Sequence, residues 1–143
     1  MSTVLSLRLP DESIRKLDRF ARRVGNKMTR SRAAMLLLEE GIRQTAHAGI
    51  EFRDSPVGRQ AYVKGSTLAV WEVIMVAQDL DMDPAYVAEH LEWPRAQVDS
   101  AFAYYSAFPE DIDYAIADND CTYEELKARL PGLELHEVKM PVE

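Results

Sequence analysis

The chain has 143 residues, 47% of them hydrophobic and 29% charged, with a formal net charge of −7, a composition that fits one ordinary globular domain or two small ones. No apolar run reaches the roughly 18 residues that a membrane span needs, and no basic stretch followed by an apolar one opens the chain, so no membrane partner and a cytoplasmic location are expected. The single Cys121 excludes an internal disulfide, and His47, His90 and His136 stand far apart, so neither a metal site nor a cofactor is expected.

Charge is divided unevenly. Residues 1–49 hold ten Lys or Arg against five acids, a net +5, whereas the remainder holds seven against nineteen, a net −12. A basic head on an acidic body points to a nucleic-acid-binding end joined to a region with another partner, the blander reading being ordinary solvated charge.

From Val4 to Leu9 the residues alternate, with Leu5, Leu7 and Leu9 on one side and Val4, Ser6 and Arg8 on the other. That period of two predicts a half-buried strand. Pro10 ends it and suits the first turn of a helix, where Asp11 and Glu12 meet the positive end of the dipole. This helix is predicted to run to about Val24, with Ile14, Leu17, Phe20, Ala21 and Val24 inward and Arg15, Lys16, Arg19, Arg22 and Arg23 outward. Gly25 and Asn26 stop it. Thr29 caps a second helix over about residues 30–45, in which Ala33, Ala34, Leu36, Leu37, Leu38, Gly41 and Ile42 leave little polar surface. Such a helix is expected to be buried on more than one side, which points to a dimer core, because a segment this short cannot bury enough apolar surface alone.

A strand, Arg8-Leu9-Pro10, an amphipathic helix, Gly25, Thr29-Arg30-Ser31 and an apolar helix together resemble the ribbon-helix-helix family of bacterial repressors over about residues 3–45. The resemblance implies an intertwined dimer whose two-stranded ribbon enters the major groove. Val4, Ser6 and Arg8 then occupy the outward ribbon positions, and Thr29, Arg30 and Ser31 the helix start that grips a phosphate. Elementary chemistry agrees on the second point, since free N–H groups at a helix start make an anion site and Arg30 adds charge. Val4 can only touch a thymine methyl or pack, whereas Ser6 and Arg8 can reach base edges. The alternative for Arg8 is a charge that protects an exposed strand edge, and for Thr29 and Ser31 plain helix capping.

A linker is placed at about 46–50. Residues 50–53 and 61–64 alternate around a turn at 54–58 and predict a small hairpin. Helices are expected from Val70 to about Leu80, from Pro84, capped by Asp83, to about Leu91, from Pro94 to about Ala107, and from Pro109 onward with Ile112 and Ile116 inward. Trp71 and Trp93 sit at helix starts and read as core packing. Asp79, Asp81 and Asp83 lack the glycine and distal Glu of a calcium loop and read as turn and cap residues. The stretch from Ala61 to Trp71, Trp93-Pro94 and the run Ala101 to Tyr105 resemble domain of unknown function 433, over about residues 50–118. The turn is Gly65-Ser66-Thr67 where that family commonly has Gly-Thr-Arg, and Asp79-Leu80-Asp81-Met82 stands in place of its glycine-containing turn. That resemblance implies a helix-turn-helix-like antitoxin domain with a PIN-like ribonuclease toxin as partner. With its net −12, this region is expected to contact protein rather than DNA. Thr122 and Glu125 frame a capping box for a last helix to about Leu130, followed by an alternating tail at 133–142.

The expected fold is therefore mainly α: an N-terminal ribbon-helix-helix unit over 1–46 (β-α-α, intertwined dimer), a small helix-turn-helix-like domain with a short β-arm over 50–120, and a capped helix with an extended tail over 121–143. No nucleophile–base pair, phosphate loop or metal cluster is apparent, so no enzymatic activity is expected. The expected function is a DNA-binding repressor, homodimeric or of higher order, that acts as the antitoxin of a type II toxin-antitoxin pair and binds two-fold symmetric operator DNA. The alternatives are a stand-alone regulator of the same family whose acidic domain oligomerises or senses a ligand, and a structural adaptor that does not bind DNA.

Overall fold

A computed structural model of the chain describes residues 1–120 and Ala128. The capping box at 122–125, the helix expected to run to Leu130 and the tail at 133–142 lie outside the described residues. Eight elements follow one another: α1 (Asp11–Val24), α2 (Arg30–Ala46), β1 (Ile50–Ser55), β2 (Gly58–Val63), α3 (Val70–Asp79), α4 (Pro84–Leu91), α5 (Arg95–Ala107) and α6 (Pro109–Asn119). No helix among the described residues is long and apolar enough to cross a membrane.

The helix boundaries follow local chemistry. Asp11 and Glu12 stand in the first turn of α1 and Arg22 and Arg23 in its last, each sign at the end of the dipole that favours it. The Thr29 hydroxyl accepts from the Arg32 N–H at 3.2 Å at the start of α2. Asp83 accepts from the Ala85 and Tyr86 N–H groups ahead of Pro84, and Glu72 reaches back to the Ala69 N–H at 2.7 Å to close the first turn of α3. Pro109 opens α6, where its missing N–H leaves nothing unpaired.

The N-terminal strand is not formed, and the ribbon-helix-helix architecture expected for residues 1–46 is thereby overturned. Residues 1–10 carry neither helix nor strand. The two strands among the described residues come after two helices and pair with each other, antiparallel, from Ile50 opposite Val63 to Ser55 opposite Gly58, with one further bridge from Tyr62 to Ala69. The physical reason is that alternation specifies the faces of a strand and not its existence, which needs a neighbouring ladder of N–H and C=O groups. Residues 4–9 find none among the described residues, and Leu5, Leu7 and Leu9 remain exposed.

Burial falls into two clusters. The larger is built by Ile50 and Val63 of the hairpin, Val70, Val73, Ile74 and Ala77 of α3, Val87 of α4, Val98, Ala101 and Tyr104 of α5, and Ile112 and Ile116 of α6. Trp71 and Trp93 pack against its margin, half-buried. The smaller joins Leu17 and Ala21 of α1 to Ala33 of α2. Between them the chain passes Gly49, where an added Cβ would come within 2.3 Å of the Ser100 Oγ. Only glycine lets the junction lie this close to α5.

The turn after α3 holds backbone strain. Asp81 and Met82 adopt φ of 56° and 54°, the left-handed region in which a side chain is disfavoured. The Met82 N–H donates to the Ala77 carbonyl at 2.8 Å, which fixes that conformation as a helix terminus. Met82→Gly is expected to raise stability by about 0.5–1 kcal/mol, strain relief exceeding the entropy that glycine loses; urea denaturation of the two proteins measures it.

Candidate nucleic-acid interface and the cleft behind it

The residues expected to touch DNA fall into two groups. Val4, Ser6 and Arg8 stand exposed in the segment ahead of α1, Val4 at 91%. Thr29, Arg30 and Ser31 stand exposed at the start of α2. No hydrogen bond or ion pair among the described residues connects one group to the other. Thr29 is engaged as the cap. Arg30 forms a two-pronged pair with Asp18 of α1, Nε to Oδ1 and Nη2 to Oδ2, both at 2.9 Å, leaving the Nη1 side of its fork for another acceptor. The Arg30 hydrogen bond holds the Asp18 carboxyl below its ordinary range, and the same bond raises Arg30. The first turn of α2 contains no acid, so the positive helix end is left to an outside anion. Arg15, Arg19, Arg22, Lys27 and Arg32, on α1, the α1–α2 turn and α2, are exposed and add long-range attraction.

Helix α2 has two opposed faces, because successive residues turn by about 100°. One face carries Ala33, Leu36, Glu40 and Arg43, spaced i, i+3, i+7 and i+10, and turns inward. The other carries Met35, Leu38 and Ile42, which are 69%, 47% and 66% exposed. Burial on more than one side, expected from the sequence, is thus not reached among the described residues.

The inward face is joined to the hairpin and the helices behind it by charge. Glu40 is 6% exposed, and Arg59 of β2 clasps both its oxygens, Nε at 3.0 Å and Nη2 at 2.7 Å. Arg59 also donates to Asp54 at 3.1 Å, and Asp54 pairs with Arg23 of α1 at 2.9 Å. The Phe20 ring lies 5.4 Å from both guanidiniums, within range of a cation–π attraction. The hydrogen bonds that Arg59 donates to Glu40 raise its pKa above the ordinary value.

One turn further on, Arg43 donates through Nη1 to the Tyr104 hydroxyl at 2.9 Å and to Asp111 at 2.7 Å, and through Nε to Glu39 at 3.3 Å. Its guanidinium lies 3.9 Å over the Phe108 ring. Burial opposes the charge on Arg43, but the bonds to Asp111 and Tyr104 outweigh it and the pKa is raised. Burial also raises Tyr104, against the pull of Arg43, so the hydroxyl stays protonated and can accept from the guanidinium. Sequence reasoning singled out none of these four residues, Glu40, Arg43, Arg59 and Tyr104. Their signal was the placing of Glu40 and Arg43 on the same stripe as Ala33 and Leu36, charges where apolar residues belong.

Between α2, the hairpin and α6 lies an open cleft of about 850 Å³. Phe52, Ala61, Trp71 and Ile112 contribute apolar lining, and Glu39, Glu40, Arg43, Arg59, Asp111 and Asp118 contribute charge. The Trp71 indole is steadied by a long hydrogen bond from Nε1 to Gln60, 3.4 Å.

No known protein family, curated protein or solved structure matches the chain.

Glu40→Ala removes the partner from a guanidinium that is itself mostly buried. Breaking a buried pair on one side is costly, and with Asp54 remaining to Arg59 the expected loss is about 2–4 kcal/mol. Urea denaturation reads this, and Glu40→Gln, which still accepts a hydrogen bond, should lose clearly less.

Proposed function

We propose that this chain is a cytoplasmic, non-enzymatic, homodimeric DNA-binding repressor that also serves as the antitoxin of a toxin-antitoxin pair, its basic end on operator DNA and its acidic body on a ribonuclease toxin. The observation that carries the DNA reading is the start of α2: a capped helix end with no acid in its first turn, Arg30 and Arg32 beside it, and a basic exposed surface on α1. Free N–H groups, dipole and cations together favour a phosphate. Ahead of α1 the segment with Ser6 and Arg8 is free of secondary structure, and a basic arm of that kind can lie in a DNA groove and place an Arg against base edges. The two-stranded ribbon is no part of this reading.

Dimerisation is supported by the outer face of α2. Met35, Leu38 and Ile42 form a stripe of large apolar side chains open to water, and a contiguous exposed patch of that kind marks an interaction surface. A second copy applying the same stripe gives a self-complementary, two-fold interface and would put two α2 starts on one duplex. The antitoxin part is supported by the resemblance of residues 50–118 and by the acidic character of that region, which disfavours a second DNA contact.

Gel-shift titration on duplex DNA from the chain's own promoter tests the reading. Arg8→Ala should weaken specific binding by about tenfold or more, the scale of one lost base contact, with the helical circular dichroism spectrum intact. Unchanged binding would remove Arg8 from the interface. Co-purification with a nuclease encoded beside the chain distinguishes an antitoxin from a stand-alone regulator.

A further inference from the structure

We propose that the cleft between α2, the hairpin and α6 is a docking groove for residues 133–142 of this same chain, an apolar tail that closes the cleft against other partners. The charged groups of the lining are already matched. Arg59 clasps Glu40, Arg43 holds Glu39 and Asp111, and Asp118 is engaged as well. What the cleft offers an occupant is therefore chiefly its apolar surface. Phe52, Ala61, Trp71 and Ile112 line it, and its rim carries Val57 of the hairpin turn and Tyr114 of α6, 74% and 71% exposed. Large apolar side chains left in water on two walls of one groove mark a surface that gains by being covered.

The occupant follows from where the chain runs. Helix α6 supplies one wall, down to Asp118 and Asn119 in its last turn, so residues 121–143 start from the rim of the cleft. The N-terminal arm is the other segment with alternating apolar residues, Leu5, Leu7 and Leu9, but it leaves α1 at the far end. The near end is the one tied to the hairpin, Arg23 to Asp54 at 2.9 Å, and the 14 residues of α1 put about 21 Å between the two. Residues 133–142 hold Leu133, Leu135, Val138, Met140 and Val142, and Pro131-Gly132 ahead of them suits a turn that sends the chain back toward α6. Residues 121–132 act as a short tether, and a tethered segment meets its groove at an effective concentration on the order of 1 mM. Weak contacts then suffice, whereas a separate apolar peptide has to reach that concentration by itself. While seated, the tail is autoinhibitory: another apolar segment enters the cleft only by displacing it. The contact rests on neither the DNA reading nor the antitoxin reading.

The test titrates a fluorescein-labelled peptide of residues 132–143 with the intact chain and with a full-length variant carrying Leu133→Ser, Leu135→Ser, Val138→Ser and Met140→Ser, reading anisotropy. The variant should bind the peptide saturably, and the intact chain, whose own tail competes, at least about fivefold more weakly. Adding unlabelled intact chain to the variant and peptide should displace nothing, because a tail seated in its own cleft is withheld from others. Ala115→Phe, which fills the cleft from α6, should remove peptide binding when added to the variant, with the circular dichroism spectrum unchanged. If that protein does not fold, Val57→Glu, at an exposed turn position, should weaken the peptide several-fold. No saturation of the variant by about 1 mM, equal binding by both chains, or undiminished binding in the cleft substitution that folds would each overturn the proposal. Displacement by added intact chain would assign the tail to a second copy and overturn the contact within one chain.

Discussion

The pair between Glu40 and Arg59 is the joint on which the arrangement turns. Glu40 lies on a helix of the basic head and Arg59 on a strand of the acidic body, and both side chains are mostly buried. Two charges removed from water gain little net stability from each other, yet each becomes costly if left alone. The pair therefore fixes geometry more than it adds free energy. Arg59 passes this constraint on to Asp54 and Arg23, and Arg43 repeats it one turn along with Tyr104 and Asp111. Because the joint is polar, the small cluster of Leu17, Ala21 and Ala33 stays separate from the main core, and the space beside the joint remains an open cleft.

Helix α2 serves three surfaces at once. Its start offers an anion site, its inner stripe supplies Glu40 and Arg43 to the joint, and its outer stripe leaves Met35, Leu38 and Ile42 in water. A single helix can do this because its residues are distributed around the axis at about 100° steps. The proposed dimer and the proposed DNA contact thus share one rigid element, and the α1–α2 cluster with its three buried residues is too small to hold that element without the ionic joint.

Much of the fold was legible because it is local. Thr29, Asp83, Pro84 and Pro109 act as caps or first-turn residues at the positions where their chemistry predicts, and the alternation of residues 50–53 and 61–64 becomes a paired hairpin. The first strand was misread for a related reason: its side-chain pattern is local, but a strand is completed by a partner, and none stands among the described residues. The joint and the cleft were hidden because their members are far apart in sequence, Glu40 from Arg59 by 19 positions and Arg43 from Tyr104 by 61. The turn at Asp81 and Met82 was legible in its place, but its left-handed backbone was not. It keeps a left-handed backbone without the glycine that would have announced it.

Phosphate binding by the basic end of this acidic chain, as proposed, is read in the salt dependence of its affinity for DNA. Fluorescence anisotropy of a labelled promoter duplex, titrated with the full chain at several salt concentrations, gives the slope of log affinity against log salt. Each neutralised phosphate contributes about −0.9 to that slope. A dimer placing the α2 start and its neighbouring cations on the backbone predicts a steep negative slope, corresponding to several phosphates, and affinity that collapses as salt rises. A slope near zero, or no binding even at low salt, would contradict the account.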